Sequence, residues 1–101
     1  MRSARSWLDE RGSGAPAALL ERARHYLAQI EPSSDPADDL ARAGLVALDA
    51  TVGSPGDRRA ALDLLAADGL VTLALLVRAE TEPAALPDFA ARIRNAGVTT
   101  L

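Results

Sequence analysis

From Pro55 to about Glu80 the chain reads as a single long helix with apolar residues on two opposing flanks, and such a helix must be covered on both. On a wheel of 100° per residue, Leu62, Leu65, Leu70, Leu73, Leu76 and Val77 fill one arc of roughly 140°. Leu64, Val71 and Leu75 form a ridge on nearly the opposite side. Asp63 and Arg78 fall in one gap between these flanks, Asp68 and Thr72 in the other. Only three further substantial helices are available in the chain to cover this segment.

Glycine, proline and serine divide the rest. A leader, 1–14, carries Trp7 and Leu8 on a short helix or flexible segment broken by Gly12-Ser13-Gly14, and the tryptophan is expected to tuck against the core as a lid. A helix over about 16–31 starts at Pro16 and is amphipathic, with Leu19, Leu20, Ala23, Tyr26, Leu27 and Ile30 on its apolar side. A helix over 35–52 is capped by Asp35, with Pro36 at its first position and Asp38 and Asp39 suiting the positive end of its dipole. Gly44 inside it costs about 1 kcal/mol relative to alanine, which predicts a second helix crossing closely there. Gly53 ends that helix, and Ser54 with Asp57 three residues on resembles a capping box for the next. The last helix is expected over 87–96, with Pro83 to Leu86 as a separate turn and Gly97 as its C′ residue.

Alanine and leucine together exceed a third of the 101 residues, and no run alternates as a strand would. The expectation is therefore one all-α domain over residues 1–101, a small bundle of four main helices (about 16–31, 35–52, 55–80 and 87–96) plus the N-terminal turn. All 11 basic residues are arginine, which fits GC-rich codon usage and a bacterial origin. The net charge of −3 comes from acids and arginines intermixed along the chain, against the concentrated basic face that nucleic-acid binding needs. Gly69 to Val77, bracketed by Asp68 and Arg78, is too short for a membrane span, and Arg2 and Arg5 lead into Asp9 and Glu10 rather than an apolar signal. A cytoplasmic location is expected.

Chemistry finds little to stand on. With no cysteine, thiolate nucleophiles and thiolate metal sites are excluded. His25, the sole histidine, lies on the polar side of its helix beside Glu21 and reads as a surface residue. Asp57, Asp63 and Asp68 point to different sides of the long helix, and Asp68 with Thr72 reads as solvated. No serine has a nucleophile-elbow context, and the Gly53–Gly56 turn lacks the length and lysine of a phosphate loop. The expectation is a non-enzymatic module with no cofactor or metal, which pairs with itself as a homodimer or with another protein through Leu64, Val71 and Leu75. Two other classes stay open: a helix-turn-helix DNA-binding regulator, with Arg58 and Arg59 opening its second helix, and a carrier of an apolar ligand in the bundle core.

Overall fold

Among the described residues five α-helices form, and Gly44, Gly69, Pro87 and Gly97 are accommodated inside three of them. The computed structural model describes residues 2–53 and 56–100. In chain order these hold α1 (Ala4–Arg11), α2 (Ala17–Leu27), α3 (Pro36–Gly53), α4 (Arg58–Thr81), a single 3-10 turn (Pro83–Ala85) and α5 (Leu86–Thr100). The all-α bundle expected from composition and periodicity is what the chain adopts, with no strand among the described residues.

The helix ends differ from expectation where a local hydrogen bond decides them. α1 is a formed helix, capped by the Ser3 hydroxyl accepting the Ser6 amide at 3.0 Å, and it buries Trp7 and Leu8 as the lid reading anticipates. α2 stops at Leu27, four residues short of the expected end, because Pro32 disfavours helical backbone just before it and the Gln29 amide closes a tight turn on the Tyr26 carbonyl at 3.1 Å. Asp35 caps α3 as expected, its carboxylate accepting the Asp38 amide at 3.3 Å. α4 begins at Arg58 and not at 55, since extended Asp57 is its N-cap and accepts the Ala60 amide at 2.7 Å. Gly56 precedes it at φ +94, the one positive φ among the described residues. The capping role expected of Ser54 falls outside those residues. α5 runs through Gly97 to Thr100, because Gly97 keeps right-handed helical backbone instead of turning left-handed as a C′ residue would.

α3 and α4 form an antiparallel hairpin around which the other helices pack. Asp35, before the start of α3, meets Arg78 near the end of α4, while Gly44 midway along α3 faces Ala67 and Val71 midway along α4. A β-carbon on Gly44 would stand 2.7 Å from the Val71 Cγ2 methyl, 3.3 Å from the Val71 amide nitrogen and 3.4 Å from the Ala67 carbonyl oxygen. The close crossing expected at Gly44 is thus present, and its partner is α4.

That approach sets which residues are inside. Small side chains fill much of the interior of both helices, with Ala37, Ala41, Ala43 and Ala47 of α3 and Ala66, Ala67 and Ala74 of α4 buried. Leu40, Leu70, Val77 and Phe89 are the large side chains fully enclosed. The buried arc of α4 centres on Asp63, Leu70 and Ala74, roughly a quarter turn away from the leucine arc that the wheel marks as the core side. Leu65 and Leu76, expected inside, are 55% and 46% exposed. Leucine spacing alone favoured the wrong centre because α3 selects α4's small residues, which let the two backbones approach.

Gly44→Ala provides the test of this seam. Alanine's helix propensity favours the substitution by about 1 kcal/mol, yet the added methyl meets stiff Val71 and backbone atoms. The expected outcome in urea denaturation is a net loss of about 1–3 kcal/mol, partly recovered in Gly44→Ala/Val71→Ala. Stability equal to or above the parent's would show that the crossing is looser than described.

Candidate interaction surface

Among the described residues the buried charged side chains Asp39, Asp63 and Arg78 each take part in an ion pair, while the Arg78 Nε is buried without a hydrogen-bond partner. Asp63 is buried on α4 and accepts the Arg22 Nε of α2 at 2.5 Å, and the Arg22 guanidinium also lies 5.3 Å from the Tyr26 ring centre. The Arg22 hydrogen bond, outweighing burial, holds the Asp63 carboxyl below the usual carboxylate range, while burial pushes the Tyr26 phenol up. Arg78, buried on α4, donates to Asp35 at 2.5 Å and to Glu82 at 3.0 Å, and lies 4.5 Å from the Phe89 ring centre of α5. Burial raises the Asp35 pKa, but Arg78 and the helix-start amides outweigh it and leave the carboxyl low. Asp39, buried at the start of α3, accepts the Ser33 amide at 3.0 Å, the Ser33 hydroxyl at 2.7 Å and Arg42 at 2.5 Å.

Asp39 and Asp63 were read from sequence as a helix-start acid and an isolated acid, and both turn out to be buried hydrogen-bond hubs. For Asp63 the available signal was its place beside Arg78 between the two apolar flanks. The partner arginine comes from another helix and had no signal at all.

The surface groups considered for chemistry stay apart. His25 is exposed and pairs with the Gln29 amide nitrogen at 2.7 Å. Asp68 and Thr72 are exposed together on α4. Among the described residues no three His, Asp or Glu side chains gather as they would around a metal ion. Trp7 lies under the Arg2 guanidinium at 3.7 Å, with Arg11 at 5.5 Å; Arg2 pairs with Glu10, and Arg11 with Glu80 of α4 at 2.6 Å.

The apolar surface is the site left to consider. Of the three residues expected as a docking ridge, Leu64 is 49% exposed, Leu75 is half-buried against the core, and Val71 is occupied by the crossing at Gly44. The structure places the larger exposed apolar face elsewhere, on the outer side of α4. There Leu65, Gly69, Thr72 and Leu76 follow one another at helical spacing and face a trough whose other wall is Leu8, Leu19 and Leu20 from α1 and α2. Gly69 in mid-helix costs about 1 kcal/mol relative to alanine, and beyond its chain neighbours and its own helix backbone no atom lies within 4 Å of where its β-carbon would stand. Unlike Gly44, it answers to no contact within the chain. Val46 and Val52 on α3 are further exposed apolar residues, 36% and 52% respectively.

By length and composition α4 is apolar enough to cross a membrane, with a mean hydropathy of 2.0 over 18 residues, 44% of that window being buried inside the protein. A core helix has the same composition, and α4 touches every other helix of the bundle. Comparison with protein-family models, with curated proteins and with solved structures gives no match.

The ion pairs carry a pH dependence. Asp63 and Asp35 have folded pKa values below the ordinary aspartate value of 3.8, so their contribution is complete above that value and is lost as pH falls through the lower, folded values. Unfolding free energy should therefore decline from about pH 4 downward. Asp63→Asn should cost about 1–3 kcal/mol at neutral pH and make the acid decline shallower. Urea midpoints measured from pH 6 to pH 2.5 check both, and an unchanged acid limb in the variant would remove Asp63 from the account.

Proposed function

We propose that this chain is a non-enzymatic interaction module, which docks to a protein surface, its own or another's, through the outer face of α4. The observation that supports the reading is the pair Leu65 and Leu76, half exposed on the central helix beside an apolar trough, with Gly69 between them. Contiguous apolar surface rimmed by polar residues marks interaction sites. Here the rim is the Arg11–Glu80 pair together with Asp68.

The other two classes find less to favour them. A recognition helix must lie in a DNA groove, whereas α4 is packed by α1, α2, α3 and α5, and its exposed face is apolar. The trough is an open surface feature rather than an enclosed chamber of the core, which suits a side chain from a neighbour better than a sequestered ligand.

Photo-crosslinking in the producing cell tests the reading. A photoreactive residue at Leu65 or Leu76 should give a discrete protein adduct, and the same residue at Asp88, exposed on α5, should not. Adducts absent from both leucine positions, or equal at Asp88, would overturn it.

A further inference from the structure

We infer that the partner of this face is a second copy of the same chain, its α4 running antiparallel to the first across a two-fold axis midway between Leu70 and Val71; the inference rests on the docking reading above. Leu65, Gly69, Thr72 and Leu76, four exposed residues of one stripe, map onto one another about that midpoint, large at the ends and small in the middle. When two α4 helices lie antiparallel on this centre, Leu65 stands opposite Leu76 of the other copy, and Gly69 stands opposite Thr72. Small residues meet at the middle, where the helix axes come closest, and leucines close both ends. A two-fold axis makes each contact twice, as an isologous interface requires.

The charges agree with this direction. Arg58 lies on the same face at the start of α4, and in the antiparallel pair it falls three residues, about 4.5 Å along the axis, from Glu80 of the other copy, on the same flank, where Glu80 also holds Arg11 of its own chain. A parallel pair would instead set Arg58 against Arg58 and Glu80 against Glu80. Asp68 lies on the opposite edge near its own symmetry mate, where both carboxylates are exposed and screened by salt. Gly69 supplies an independent reason: a glycine that no intramolecular contact requires is explained when a second backbone crosses over it, as Val71 and Ala67 explain Gly44.

The chain has no cysteine, so single cysteines report the pairing directly. Purified Leu65→Cys and Leu76→Cys chains, mixed and oxidised, should join predominantly as the mixed 65–76 disulfide, because identical positions lie eleven residues, about 16 Å, apart along the axis. Sedimentation of the parent at micromolar concentration should show a dimer. Gly69→Leu, whose side chain enters open space in the single chain, should keep the helical signal while weakening association at least tenfold, its thermal midpoint falling only by what the lost association removes. Arg58→Glu should weaken it about threefold to tenfold.

Mostly 65–65 and 76–76 products would overturn the antiparallel pairing. A strictly monomeric chain with a statistical mixture of disulfides, or one whose association ignores Gly69→Leu, would overturn self-pairing altogether. So would a monomer that floats with phospholipid vesicles through this face. A monomer that still gives a discrete heterologous adduct from Leu65 in cells would sink this inference alone and leave the docking reading standing.

Discussion

The absence of a side chain at Gly44 is the constraint on which the rest of the bundle depends. With nothing between the α3 backbone and Val71, the two long helices lie against each other along a seam of alanines. Interiors are close-packed, so the distance between two helices is set by the smallest residues that can fill the gap without voids. Once α3 and α4 are this close, the orientation of α4 is fixed, and with it the identity of every residue α4 can show to the remaining helices and to solvent.

An alanine seam has an energetic consequence. Each methyl removes little apolar area from water compared with a leucine, so the hairpin gains close packing at the expense of hydrophobic burial. Larger side chains add to it at the margins, with Trp7 and Leu8 from α1, Tyr26 from α2 and Phe89 from α5. Directional bonds reinforce the same joins. Arg22 to Asp63 ties α2 to α4, Arg78 to Asp35 ties the end of α4 to the start of α3, and Arg11 to Glu80 ties α1 to α4. Arginine suits these positions because its planar, weakly hydrated head can stack on an aromatic ring while donating to a carboxylate. Arg22 does so beside Tyr26, Arg78 beside Phe89 and Arg11 beside Trp7.

The seam also explains where the exposed apolar face of α4 arises. A helix of 24 residues that turns its small side toward its closest neighbour must turn some of its leucines elsewhere. On α4 that displacement leaves Leu65 and Leu76 facing outward around Gly69. The folding requirement and the exposed apolar face are thus two results of one packing choice.

Much of this was legible in the residues alone. The all-α class, the intervals between helices, the Asp35 cap, the buried tryptophan and the close crossing at Gly44 follow from local causes: propensity, ring geometry, side-chain capping and the cost of a mid-helix glycine. Helix ends were legible less well, since the Asp57 cap and the run of α5 through Gly97 turn on single dihedral choices that neighbouring residues do not dictate. The interface residues read from sequence illustrate the limit. Leu64, Val71 and Leu75 do share one flank of α4, as the 3.6-residue period requires, but the period says only which residues travel together. Which flank is taken by a neighbour depended on Gly44 finding Val71 from 27 positions away, and on Arg22 finding Asp63. The sequence by itself determined that the long helix would have two apolar flanks; only the tertiary structure, by bringing α3 against the small residues between them, decided which leucines would be left in water.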